Sequence, residues 1–169
     1  SEEKVTIPVT VKMTLEKESD VLKTDVKFNN TARDHRMRLL VDTGILSDMS
    51  FADTPFDIVE RNITPQYPDT MSDVHPNTSF AGIRNGNEGV VVYTNGNHEY
   101  EHLKDNRSAI AFTLLRSNGY ITMGDNYESP VGAQWDVPGN QCLRGITGSF
   151  GIEVFDCNLS ELSVKSAIF

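Results

Sequence analysis

The sequence predicts an all-β protein, an antiparallel β-sandwich. Three observations carry that prediction. Apolar residues recur with a period of two, most plainly at Val5, Ile7, Val9, Val11, Met13 and Leu15, the signature of a strand with one buried face. Asn-Gly and Asx-rich punctuation separates these stretches. No segment combines a helical period with caps at its ends.

The elements follow in order. Residues 5–15 form the first strand. Pro8 cannot donate to a ladder, so this strand runs along a sheet edge or carries a bulge. After the charged turn 16–20, Leu22, Thr24, Val26 and Phe28 continue the alternation. Met37, Leu39 and Val41 supply a third strand, and together the three read as an antiparallel meander. Phe56 and Ile58 suggest a short strand leading to Arg61. Residues 64–77 hold Pro65, Pro68 and Pro76 and read as a long loop within a single domain spanning 1–169.

Phe80–Ile83 and Gly89–Tyr93 form a hairpin about Asn85-Gly86-Asn87. Asn95-Gly96 is the strongest hairpin signal, a type I′ turn between VVVYT and HEYEHL. The almost wholly apolar stretch Ala109–Leu115 suits a central strand buried on both faces. Residues 117–141 are rich in turns. Ile146, Phe150, Ile152 and Val154 restore the alternation. Strand-forming residues run on to Ile168 and Phe169, so the sandwich is expected to be incomplete at its C-terminal end.

Composition narrows function. The 169 residues carry 15 Lys plus Arg against 24 Asp plus Glu, a formal net charge of −9. That charge opposes a nucleic-acid partner. No apolar run reaches membrane-spanning length, and the start has no signal-peptide pattern; a cytoplasmic, non-membrane protein is expected. Cys142 and Cys157 are too few for a disulfide framework and read as reduced, buried thiols. The Asn-x-Ser/Thr sequons at Asn29, Asn62, Asn77, Asn106 and Asn158 read as chance in an Asn-rich chain.

The search for chemistry returns little. His98 and His102 have the i, i+4 spacing of a helical zinc pair, but they fall in a strand, where residues four apart are roughly 13 Å apart. They read as exposed strand histidines. Asp53 and Asp57 flank Thr54-Pro55 and read as turn residues. Gly148-Ser149-Phe150-Gly151 lacks the spacing of a nucleophile elbow. Arg61 and Arg116 each end an apolar strand, and Trp135 is the single tryptophan. These three are the candidate sugar-facing or interdomain residues. A guanidinium fork can clamp a carboxylate or sugar hydroxyls, and an indole face can cover a sugar's C–H surface. The alternative for the arginines is an interstrand or interdomain ion pair.

Five segments in order are more specific: RLLV at 38–41, FADTPFDIVER at 51–61, NEGVVVYTNGNHEYE at 87–101, IAFTLLRSNG at 110–119, and PGNQCLRG at 138–145 with Phe150 following. This series resembles the C-terminal β-rich region of glycoside hydrolase family 38, the α-mannosidases, in their bacterial form. The resemblance implies a parent enzyme that hydrolyses terminal α-mannosides with zinc and with retention of configuration, in an N-terminal domain these residues do not match. It implies no catalytic, cofactor or metal residue in this chain. The implied partners are the catalytic and helical domains of the same polypeptide, a mannose-containing saccharide, and a second copy in a homo-oligomer. The alternative is a free-standing carbohydrate-binding or interaction module, with Trp135, Tyr93, Tyr100 and the arginines around a groove.

Overall fold

The computed structural model describes residues 4–64, 73–120 and 135–166. Eleven strands occur among them: β1 (Val9–Thr14), β2 (Val21–Asn29), β3 (Arg36–Asp42), β4 (Met49–Asp53), β5 (Ile58–Asn62), β6 (Val74–Pro76), β7 (Phe80–Asn85), β8 (Glu88–Thr94), β9 (Glu99–His102), β10 (Ala109–Arg116) and β11 (Gly145–Asp156), followed by helix α1 (Leu159–Ser166). They form two antiparallel sheets. The first has seven strands in the order β1-β2-β11-β8-β7-β4-β5, and the second has four in the order β3-β10-β9-β6. The expected all-β sandwich is present.

The main core fills the space between the sheets. Val26, Phe28, Ala52, Ala81, Ile83, Val92 and Phe150 of the first sheet meet Tyr100, Ile110, Phe112 and Leu115 of the second. β10 is central, as its composition predicts, with Ala109, Ile110, Ala111 and Phe112 all at 0% exposure. A smaller core lies on the opposite face of the large sheet. There Phe51, Phe80, Val91, Tyr93 and Phe155 pack beneath Leu162 of α1. Phe51 and Phe155 meet edge-on, centroids 5.7 Å apart at 86°. They fit because Gly82 and Gly89 leave room: a Cβ at Gly82 would strike the Phe51 ring and the Val90 carbonyl, and one at Gly89 would strike the Phe155 ring.

Several expectations need correction. The first three strands do not form a meander. β1 and β2 pair, but β3 crosses to the other sheet and β11 takes its place beside β2. The corner is fixed by Asn30, 2% exposed, whose amide donates to the carbonyls of Gln141 and Cys142. Asn95-Gly96 does not close a hairpin either. β8 and β9 lie in different sheets, and Gly96, at φ 83°, sits in a crossover. The Asn77 amide holds that crossover by donating to Thr94 Oγ1 and the Asn97 carbonyl. The β7–β8 hairpin is as expected, with Gly86 at φ 66°, the first loop position of a type II′ turn.

The end of the expected loop 64–77 is strand β6, paired with β9; residues 65–72 lie outside the described residues. The chain also has a helix where strand was expected, because Leu159 and Leu162 place apolar side chains on one helical face against the smaller core. Both cysteines are half-buried rather than buried.

Candidate functional site

The outer face of the four-stranded sheet carries the densest set of charged side chains described. Alternation along β9 turns Tyr100 inward and Glu99 and Glu101 outward. Thr113 and Arg116 on neighbouring β10, and Arg36 and Arg38 on β3 beyond it, share that outer face. Glu99 is the hub. Its Oε1 accepts from Thr113 Oγ1 at 2.5 Å, Arg36 Nη2 at 3.0 Å and Arg116 Nη2 at 2.9 Å. Arg36 also donates Nε to Thr113 Oγ1 at 3.0 Å. Arg38 Nη1 lies 2.7 Å from Glu101 Oε2. Burial pushes the Glu99 carboxyl up, but the bonds from Thr113 and Arg116 and the charges of Arg116 and Arg36 outweigh it and hold Glu99 below the usual carboxylate range.

The two candidate arginines part company here. Arg116 lies on this outer face as an interstrand ion pair with Glu99. Arg61 reaches the inner face instead, where Nη1 donates to the Tyr100 hydroxyl at 3.1 Å, and that hydroxyl lies 3.3 Å from Ser50 Oγ. The second sheet lies between them. Trp135 is 65% exposed beside the isolated bridge of Tyr120 with Asp136, and is placed with neither arginine. Tyr93 and Tyr100, expected near a groove, are 1% and 0% exposed and line none. Tyr93 instead donates its hydroxyl to the buried Glu153 at 2.9 Å, and desolvation, with that bond, drives its pKa far upward.

His102 also corrects an expectation. It is 4% exposed, with Nε2 2.9 Å from the Arg107 carbonyl and Nδ1 buried without a partner. The carbonyl requires Nε2 to carry the proton, so ionising the ring would add a charge at an unpartnered nitrogen. Burial accordingly holds its pKa below the ordinary 6.5, and burial does the same to His75. The sign follows from linkage. Above 6.5 both states are neutral and the full stability is present. As pH falls below 6.5 the unfolded chain takes up protons that the folded chain refuses, so stability declines until the lower folded pKa is reached. Denaturant midpoints measured between pH 8 and pH 5 are expected to fall, and His102→Gln is expected to flatten the slope.

Asp53 is structural, as the sequence suggests. It accepts from the backbone N–H groups of Thr78, Ser79 and Phe80 and from Ser79 Oγ at 2.6 Å, tying the β4 end to the start of β7. It also lines an open cleft of about 350 Å³ with Thr54, Phe56, Asp57 and Ser160.

Among the described residues, no three His, Cys, Asp or Glu side chains converge as a metal site. Among the same residues no helix is long and apolar enough to cross a membrane. Glu99→Ala is expected to cost about 1–2 kcal/mol and Arg116→Ala under about 1 kcal/mol, because Glu99 serves three donors while Arg116 forms one exposed pair. Urea unfolding of both variants checks the ranking.

No protein-family model matches the chain. It is 36% identical over 132 residues to a protein of Halalkalibacterium halodurans provisionally named a mannosylglycerate hydrolase, covering 77% of this chain and 14% of that protein. An α-mannosidase from Enterococcus faecalis V583 superposes on 94% of this chain with a TM-score of 0.77 and 26% identity. A family 38 glycosyl hydrolase protein from Enterococcus faecalis does so with a TM-score of 0.76 and 27% identity. The chain spans 17% and 18% of those two polypeptides. Over nearly its whole length, this chain therefore resembles one β-sandwich segment of a family 38 glycosyl hydrolase protein.

Proposed function

We propose that this chain is the non-catalytic β-sandwich region of an α-mannosidase, which supports the catalytic domain and fixes its position. In this reading the parent enzyme works in the cytoplasm. It hydrolyses terminal α-mannosides with zinc and with retention of configuration, using domains outside these residues. The catalytic and helical domains of the same polypeptide are its partners, and the mannose-containing saccharide is met by the parent enzyme.

One observation carries the reading. Nearly the whole chain, 94%, superposes on an α-mannosidase of which it is only 17%. A segment that small, with its polar side chains engaged in strand-to-strand bonds, suits a scaffold. The outer-face cluster points the same way: Arg36, Arg38 and Arg116 are each engaged by Glu99, Glu101 or Thr113, so each guanidinium already has a partner within the sheet.

The test is hydrolysis of an aryl α-mannoside. The full natural polypeptide is expected to cleave it and to lose activity to a chelator, while the 169-residue chain is expected to be inactive with zinc present. Cleavage by the short chain would overturn the proposal.

A further inference from the structure

β1 breaks a rule that the rest of the sandwich obeys. Val9, Val11 and Met13 stand directly opposite Phe28, Val26 and Thr24 of β2, so they point to the same face. For β2 that face is the core, with Val26 and Phe28 at 3% and 4% exposure. Yet Val9, Val11 and Met13 are 45%, 50% and 60% exposed, and Val5 and Leu15 extend the stripe at 53% and 63%. The sequence predicts a buried face here; Ile7 alone of this stripe packs against the main core, and the structure leaves the rest open.

The cause is a mismatch between the sheets. Tyr100 of β9 reaches Ser50 of β4, and Leu114 of β10 lies against Gly148 of β11. Met37, Leu39 and Val41 of β3 pack against the cluster that holds Val26 and Phe28 of β2, while Val9, Val11 and Met13 of β1 stay outside it. β3 is also an end strand, paired only with β10 among the described residues. Its sequence RMRLLVD contains no proline, and the bulge in this pair lies on β10, between Thr113 and Leu115. Edge strands that stay unpaired are normally short, bulged or interrupted by proline; seven regular residues offer a template for another strand.

We propose that the open side is filled by an extended segment of the same polypeptide, from outside these 169 residues. It would add to the free edge of β3 as a fifth strand of the smaller sheet and lay alternate apolar side chains on Val9, Val11 and Met13. This rests on the proposed function, which makes the chain part of a longer enzyme. The occupant is intramolecular because the matching polypeptides are far longer, this chain spanning only 14–18% of each.

Two readouts on the full natural polypeptide test the strand. The first is peroxide oxidation of Met13, followed by peptide mass spectrometry. Oxidation is expected to be at least about ten-fold slower than in the guanidinium-unfolded protein, since methionine oxidation follows exposure. The second is amide hydrogen exchange at those residues of Arg36–Asp42 whose N–H groups point away from β10. These are expected to exchange slowly, as paired strand amides do.

Oxidation at the unfolded rate, or fast exchange at that edge, in a long polypeptide would overturn the strand and leave the proposed function standing. Protection lost on dilution would assign the surface to a second copy and overturn it too. A natural product no longer than this chain would remove both readings together.

Discussion

Phe51→Ala is expected to cost about 3–5 kcal/mol of folding stability, the usual range for truncating a buried phenylalanine. Phe51 is 0% exposed and sits between Phe80 and Phe155, with ring centroids 6.3 Å and 5.7 Å away. It roofs Gly82, so truncation opens a cavity on the helix-covered face of the large sheet. Gly82→Ala is expected to cost about 2–3 kcal/mol by the opposite fault, overpacking. Its new Cβ meets both the Phe51 ring and the Val90 carbonyl, one of which can move and one of which cannot. The double variant should therefore be less destabilised than the sum of the two, by about 1 kcal/mol, since contacting residues couple. Equilibrium unfolding in urea of the three variants checks both the magnitudes and the coupling. Strict additivity would contradict the packing described.

Gln141→Leu is the second large effect, expected at about 2–4 kcal/mol. Leucine keeps the volume and removes the amide. Gln141 is 3% exposed and its amide works as a three-way clamp. Oε1 accepts from Ser117 Oγ at 2.7 Å and from the Asp34 N–H at 3.0 Å, while Nε2 donates to Asp34 Oδ1 at 2.8 Å. Removing it takes away three hydrogen bonds, each worth about 0.5–1.5 kcal/mol net and somewhat more where the partner is charged; Asp34 itself is exposed and keeps the Gly119 N–H at 2.9 Å. Asp34 also holds an unfavourable backbone, φ 51°, which these bonds sustain. Ser117→Ala, which removes one donor, is expected to cost about 1 kcal/mol by the same accounting. A Leu variant as stable as the parent would show that the clamp is decorative.

That clamp explains the PGNQCLRG motif. Pro138–Gln141 form a single 3-10 turn that locks the corner where the chain leaves β2 for β3. The motif was legible as a resemblance, but its role was not, because it depends on Asn30, Asp34 and Ser117, all distant in sequence.

The same distinction runs through the fold. Strands with a clear local pattern, alternating in β2 and most of β11 and continuously apolar or turn-bounded in β7, β8 and β10, could be read directly, since such patterns and turn residues are local properties. Their partners could not. A strand's pattern states that one face is buried without stating against which sheet, so β3 and β9 were assigned to neighbours in sequence when each belongs to the second sheet. Helix α1 has only eight residues, too few for a 3.6-residue period to stand out. β11 misled in detail. Val154, on the expected buried alternation, is 75% exposed, while Phe155 is buried at 4%, because the large sheet buries side chains on both faces near α1.

Of the candidate residues, the types and strand-end positions of Arg61 and Arg116 were evident, but not that a sheet would separate them. His102 was misread although it shares the inward alternation of Tyr100 on β9; what the sequence does not encode is the Arg107 carbonyl that partners its Nε2.

The most direct test of the central claim is the intact mass of the natural gene product in its host. A scaffold region of a larger glycosidase predicts a mass several times the 18.8 kDa of this chain. A mass near 18.8 kDa would contradict it and leave a free-standing sandwich with no catalytic domain to support.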